Sequence, residues 1–546
     1  SPSSTSLATT ASTEIVANPD FAFEAAFALP DDVVAQFHYP ISTESTEAQH
    51  WFDTGLTHMA NFNHDEAIAA FRQAQAADAD CAMCYWGEAL SFGSNINAPY
   101  DANRGAAGRL AANAALARLE GASEIETALI QAVDARYTVS AEGTVAEDAE
   151  GFADAMDSAA LQFPTDTFIL SLAAEANMDT QPWNYWQPGS RLPLGRTERT
   201  LALLEDALAI NPDHAPSIHL YIHVTESSID PYRAEAYADT LWQQSLGVGH
   251  LVHMPSHIYL RLGRWKKAHA ANIAAIAADE AYIAGSDNAG FYGAVYYPHN
   301  VHFVVASSQF AGDAATAQAM SAKLGAIVAL NPDMSEPYSE HVAASQIFTD
   351  LLYGTDEAVL ARPEPAAAHV YMRMAWHYAR GTVFARRGEL DAAHAELAAL
   401  GSLTEAPAYD AYAPEMGIPL PTILKVANLT LKARLMAADG DLTGAIATME
   451  EAVESESAIP YFEPTWWYYP TRQTLGLYLL QDGQLDRAER EFYRTLIKAP
   501  NNAYALYGLA ETFRAKGDAA SETYARELFS RAWMGEDGTL PDLNQL

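Results

Sequence analysis

The residues of this chain best suited to chemistry are its histidines. Of 17 His in 546 residues, seven fall in three short segments. IHLYIHVTE holds His219 and His223, GHLVHMPSHIYLRLGRW holds His250, His253 and His257, and YYPHNVHF holds His299 and His302. Steps of three and four residues return to nearly the same face of a helix, so each segment can present its rings together. Neutral imidazole is the commonest metal ligand. His pairs projecting from packed helices are an established way to build a metal site in an α-helical fold. Many imidazoles with few carboxylates suit copper first, zinc next and iron less well. The expected cofactor is therefore copper, with zinc or iron as the other choices.

The residues beside these motifs extend the reading. Glu226 follows His223 by three positions, and Tyr259, Tyr296 and Tyr297 adjoin the second and third segments. Glu226 is a candidate catalytic group. The three tyrosines are candidates for proton or radical chemistry, the other reading being packing with a bonded hydroxyl. The HExxH pattern of zinc peptidases is absent, and CxxCH is absent because Cys84 is followed by Tyr85. Gly-rich phosphate loops and nucleophile elbows are not evident. A metal-dependent enzyme, a copper oxidoreductase, leads. A zinc-type hydrolase using metal-activated water is a further reading. From a different class come a metal-binding carrier and a non-catalytic scaffold that binds peptides or proteins.

Cys81 and Cys84 are the only cysteines. Two thiolates cannot make a four-thiolate zinc site. A disulfide is the first reading, a reduced buried pair the second and a soft metal ligand pair the third.

The elements that must position the histidines are helical hairpins of about 34 residues. HWFDTGLTHMANFNHDEAIAAFRQAQAADADC places Trp51, Gly55, Ala67, Phe71 and Ala74 at a regular spacing, and PTRQTLGLYLLQDGQLDRAEREFYRTLIKAPNN repeats it with Gly476, Gly483, Ala488, Phe492 and Pro500. On these residues the chain resembles the tetratricopeptide repeat family. Gly263 with Ala268, Gly312 with Ala317, Gly388 with Ala393, Gly440 with Ala445, and Gly517 anchor further units, and LALLEDALAINPD is a second helix ending at Pro212. The resemblance covers most of residues 48–534. It implies an all-α, tetratricopeptide-type helical-hairpin solenoid curved around a concave groove. Small residues at positions 8 and 20 of each unit let two helices approach, a bulky residue at 24 fills the core, and proline near 32 ends the second helix. One pair cannot bury its own apolar face, so neighbours must stack.

In that register His219 and His223 fall at positions 5 and 9, His250, His253 and His257 at 2, 5 and 9, and His299 and His302 at 2 and 5. Glu226 falls at 12, and Glu175 at 9 of the preceding unit. The resemblance implies that these positions line the groove. All seven rings are then expected to reach a common space, beside a small-molecule or peptide substrate. Pro255 either bends its helix or starts it, with His253 just outside. Pro298 fits a first helical turn.

Composition sets outer bounds. The net charge is −39, from 70 acidic and 31 basic side chains. So acidic a surface repels phosphate backbones and anionic lipid heads, which argues against nucleic acid as a partner; the charge reads first as a device for solubility and second as an attraction for cations. No run of about 18 apolar residues suggests a transmembrane helix. Residues 1–20 are rich in Ser, Thr and Ala and read as a disordered tail. Such a tail often follows a removed export signal, so an exported bacterial protein, periplasmic or at the cell surface, is expected. Residues 21–365 are expected to form the array carrying the His cluster and 366–546 a C-terminal array. Residues 179–195, 286–298 and 461–470 break the pattern with aromatics, Pro or Gly and read as loop insertions, as do EPAAAHV and APAYDAYAPEMGIPLP. Asn95 and Asn97 read as helix caps or groove-mouth residues, and His64 as solvent-facing.

Overall fold

The computed structural model describes residues 21–244, 246–406, 408–409 and 418–545. The expected tail, 1–20, and most of APAYDAYAPEMGIPLP lie outside them. The described chain is all-α, apart from one short hairpin of Tyr137–Val139 with Val145–Glu147. Its helices come in consecutive pairs of the tetratricopeptide type, such as Thr46–Ala60 with His64–Ala77 and Thr471–Gln481 with Leu485–Lys498.

The repeat residues explain the pairing. Ser45 starts the first hairpin by accepting a hydrogen bond from the Ala48 amide, which satisfies one of the orphan N–H groups of a helix start. Gly483 turns the chain between its two helices at φ 75°, a backbone region that side chains with a Cβ rarely occupy. Phe71 is fully buried and wedges between Gly55 and Gly87. A Cβ would stand 2.6 Å from its ring at Gly55 and 2.4 Å at Gly87. Phe492 repeats the arrangement between Gly476 and Gly508, at 2.9 and 2.4 Å. The bulky residue of one hairpin thus fills the space left by two missing side chains.

Contacts divide the chain into two compact units. The first runs to Leu251 and includes Ala278–Tyr292; the second takes Val252–Ala277 and everything from Gly293 onward. The sequence boundary expected at 365/366 falls inside the second unit. In the first unit Phe52 packs on Phe71 with ring centroids 5.6 Å apart. The Trp86 indole donates to the Leu129 carbonyl at 3.1 Å. In the second unit Phe348, Tyr371, Met374, Leu424 and Trp467 share a core. The 461–470 insertion belongs to that core: Phe462 stacks on Trp466 at 4.0 Å, and Trp467 is buried.

Two expectations about proline are resolved. At Pro255 the helix Gly249–His253 gives way to Pro255–Arg261 through Met254, whose backbone stays helical at φ −50°, ψ −40°. The i, i+4 relation of His253 to His257 therefore survives. Pro298 does not start its helix. It lies inside the helix Gly290–Ala311, so 286–298 is a loop only up to the residue before Gly290. The helical spacing sinks the rings of Tyr292 and Tyr296, both buried, which a loop would leave in water. Among the described residues no helix is long and apolar enough to cross a membrane.

Candidate metal centre

Three of the predicted histidines converge in the first unit. His219 and His223 project from the helix Ala215–Glu226, and His250 from the first turn of Gly249–His253. One ring nitrogen from each lies within 4.8 Å of the others, and all three residues are 1% exposed. His219 Nε2 and His250 Nε2 are 3.2 Å apart. Phe62 lies against all three rings, at centroid distances of 4.5, 5.8 and 5.3 Å from His219, His223 and His250. Glu226 Oε2 takes the Nδ1 side of His223 at 3.1 Å, a carboxylate–imidazole pairing of the kind that orients a metal ligand. The short helix carrying His250 is anchored by two donors' worth of contacts. The His250 amide donates to the Tyr292 hydroxyl at 2.9 Å, and the Leu251 amide to Asn61 Oδ1 at 3.0 Å. Tyr292 in turn donates to Asp279 at 2.8 Å.

The second unit repeats the arrangement with His253, His257 and His299, again with their ring nitrogens within 4.8 Å of one another. Here hydrogen bonds select the tautomers of the neutral rings. Asn272 Nδ2 donates to the Ala268 carbonyl at 2.7 Å, which turns Oδ1 toward His253 Nδ1 at 2.6 Å. An amide oxygen only accepts, so His253 carries its proton on Nδ1; Ser256 Oγ stands at 3.2 Å from the same nitrogen. Glu463 Oε2 lies 3.0 Å from His257 Nδ1 and places a proton there too. Both Nε2 atoms are then lone-pair donors in the neutral rings. They face each other at 2.9 Å, and His299 Nε2 stands 3.4 Å from His257 Nε2. Two lone pairs at that distance repel unless a cation lies between them. Metal–nitrogen bonds of about 2.0–2.1 Å in a tetrahedron set their nitrogens roughly 3.3 Å apart, close to the spacings here. Phe303 closes this set as Phe62 closes the other, 4.6, 4.7 and 4.9 Å from His253, His257 and His299. The donor sets fit a transition-metal ion in each unit.

The remaining predicted residues lie elsewhere. His302 joins neither set; its ring faces His341 at a centroid distance of 5.2 Å. Burial, with His341 adding to it, holds His302 well below the usual imidazole range, and burial takes His341 down to about 4. Tyr259 is fully buried, with Lys267 Nζ 5.2 Å above its ring. Tyr296 is buried, and Tyr297 packs against the apolar cluster around Val301 and Leu324. Glu175 and His64 line a different cavity in the first unit, with Arg136 and Asp179. Burial lifts the Glu175 carboxyl to about 7 and lowers His64 to about 3. The expectation that His64 faces solvent therefore fails: its turn is folded under the next hairpin, where Asn95 Nδ2 approaches Nε2 at 3.5 Å. Asn95 is not a helix cap either. Its Oδ1 accepts from the Asn97 amide at 2.8 Å and closes the loop after the helix Ala82–Ser91. Cys81 and Cys84 are joined in a disulfide, and Cys81 caps that helix.

The residues not evident from the sequence are those that aim the imidazole rings. Glu463 sits inside an aromatic insertion, and Asn272 on the second helix of a hairpin, where no His motif draws attention to it. Phe62 follows the turn residue Asn61, and Phe303 directly follows His302 in the third motif. His341 occupies a first-helix position one unit beyond the three His segments.

No family model matches the chain, and no curated protein matches it. Among solved structures it is similar to the human IFIT1 dimer with m7Gppp-AAAA, at 11% identity over 92% of this chain and 95% of that one, TM-score 0.31. It is similar to the P58(IPK) TPR domain at 12% identity over 87% and 99%, TM-score 0.22. It is also similar to the APC/C hetero-tetramer Cut9–Hcn1 at 13% identity over 89% and 76%, TM-score 0.30.

Proposed function

We propose that this helical-repeat protein binds transition-metal ions at two three-histidine sites, one in each unit. The observation that carries the reading is the facing pair of imidazole nitrogens, His253 and His257, whose other nitrogens are committed to Asn272 and Glu463. Copper is the first metal for this donor set, since it heads the affinity order among divalent first-row ions. Zinc follows, and iron is third because its common sites add carboxylates. Three protein ligands leave a coordination position for an outside molecule, as in catalytic rather than closed structural sites. That feature supports an oxidoreductase built on copper, and a hydrolase if the ion is zinc.

A second reading, a metal carrier, is favoured by burial. His219, His223, His250, His253 and His257 are all between 0% and 4% exposed, which suits holding an ion as well as turning over a substrate. The Cys81–Cys84 disulfide supports an exported setting, because such bonds persist in oxidising compartments.

The test is metal content after reconstitution with copper or zinc and removal of loose ions. The proposal expects one ion lost in His219→Ala and a different one lost in His257→Ala. Substrate-free reoxidation assays then separate the two readings: dioxygen consumption with an added reductant supports the enzyme, and stable copper without turnover supports the carrier. Wild-type protein that holds no metal under any of these conditions ends the proposal.

A further inference from the structure

Residues Phe21–Leu29 precede the helix Asp31–Val34 and belong to no helix or strand. Their main chain is nevertheless gripped by side chains of the first unit. Asn288 takes both polar groups of Glu24: its Oδ1 accepts from the Glu24 amide at 2.9 Å, and its Nδ2 donates to the Glu24 carbonyl at 3.2 Å. The Ala26 amide donates to Gln73 Oε1 at 2.7 Å and the Phe27 amide to Glu66 Oε1 at 2.5 Å. His58 Nε2 donates to the Phe27 carbonyl at 3.2 Å, and Arg72 to the Phe21 carbonyl at 2.5 Å. Main-chain contacts of this kind supply affinity for a peptide backbone, and pockets for individual side chains supply the choice of sequence.

Two rings set that choice. Phe21 lies on Phe92 with centroids 5.4 Å apart, and the Arg104 guanidinium stands 5.8 Å from its centre. Phe27 meets Tyr282 edge-on at 5.3 Å and fills the space over Gly285, where a Cβ would stand 2.6 Å from the ring. Ala22, Glu24, Ala25 and Ala28 are exposed, so the sequence between the two rings is left open. The groove reads two aromatic rings six residues apart on a non-helical backbone.

The receiving side is built without the segment. Glu66 is fully buried, and besides the Phe27 amide it accepts from Tyr282 at 2.7 Å, Ser286 at 2.6 Å and Asn288 at 3.3 Å. Arg72 is paired with Glu88 at 2.8 Å, and Arg104 with Asp65 at 2.7 Å. None of these bonds needs residues 21–29, so the groove keeps its shape when they leave, and a preorganised site binds at a lower ordering cost. The segment's rings are only half-buried. It can therefore open locally without unfolding the hairpins beneath it.

We infer that this groove is a docking site for a non-helical segment of a partner protein carrying two phenylalanines six residues apart, and that Phe21–Leu29 is the tethered ligand that keeps it closed. A short tether presents its ligand at an effective concentration on the order of millimolar, so the partner must outbind the chain's own segment. The inference stands apart from the proposed metal sites, because no residue of either histidine set grips the segment.

The experiment is a fluorescence-anisotropy titration of the full chain, without added metal, by a dye-labelled synthetic peptide of residues 19–30, PDFAFEAAFALP. The chain carrying Phe21→Ser and Phe27→Ser, whose own segment lacks both rings, is expected to bind one peptide at least about tenfold more tightly than wild type, because the tethered competitor is gone. The peptide with the same two substitutions is expected to bind that chain about tenfold more weakly or worse. Adding Gln73→Ala to the chain removes one main-chain bond and is expected to weaken the unaltered peptide about three- to tenfold. Ala26→Pro opens the segment by deleting the amide that Gln73 takes, and it serves if the double variant does not fold. No saturable binding to either opened variant would overturn the inference. So would equal affinity for wild-type and opened chains, equal binding of the serine-substituted peptide, or indifference to Gln73→Ala. A wild-type dimer in sedimentation that the double variant loses would assign the groove to a second copy of this chain and overturn the partner reading.

Discussion

His253 Nε2 and His257 Nε2 face each other at 2.9 Å across one helical turn, with the Nδ1 of each committed elsewhere. The contact bridges the point where Pro255 replaces a helical N–H donor. With both rings neutral it sets lone pair against lone pair; a metal ion between them turns the contact into two bonds of a coordination sphere, and a second proton on one ring turns it into a hydrogen bond.

The residues that commit the Nδ1 atoms should therefore control metal affinity without touching metal. Glu463→Gln keeps the shape of the side chain and removes the charge beside His257. Affinity at the second site is expected to fall about 10–100-fold, as for partners of ligating histidines elsewhere, while the first site is unchanged. Glu226→Gln should act on the first site alone, through His223. Competition titration against a chelator of known affinity reads both, and equal effects of each variant on both sites would refute the assignment.

The stacking of hairpins should depend on the missing side chains around Phe71. A Cβ at Gly87 would stand 2.4 Å from that fully buried ring. Gly87→Ala is expected to destabilise the fold by about 1–3 kcal/mol, the usual cost of overpacking, although alanine favours a helix over glycine. Urea unfolding measures the balance. A variant more stable than the parent would show that the ring moves aside at no cost.

Glu175 gives the chain a pH response. Burial raises its carboxyl to about 7, above its unfolded value near 4.5. A raised folded value means a stabilising contribution that is complete below about 4.5 and is lost as pH climbs through about 7. Glu175→Gln stays neutral throughout. It is expected to gain on the parent in urea midpoint at pH 8 and to lose that advantage at pH 5. The same difference at both pH values would contradict the burial argument.

The disulfide predicts a simple count. Unreduced, unfolded protein should expose no reactive thiol to a colorimetric thiol reagent, and two after reduction. Two thiols before reduction would place Cys81 and Cys84 among reduced buried pairs.

Much of this arrangement was legible in the residues themselves. Gly55, Phe71, Gly476 and Phe492 announce the hairpin, because close helix approach needs small residues at set positions. The i, i+4 spacing of His219 with His223 and of His253 with His257 announces two pairs of imidazoles on one helix face. What the spacing could not show is which third ring completes each set. His250 and His299 do so, whereas His302, three residues beyond His299, turns toward His341. A step of three along a helix rotates a side chain by about 300°, enough to send it to a different neighbour. Glu463 was out of reach for another reason. It lies 206 residues from the histidine it orients, and only tertiary folding of an irregular aromatic segment brings the two together.

The most direct test of the central claim is an anomalous-scattering map at the copper edge from crystals grown after copper loading. The account predicts one peak among His219, His223 and His250 and another among His253, His257 and His299. Copper found only at surface carboxylates, or no peak inside either set, would contradict it.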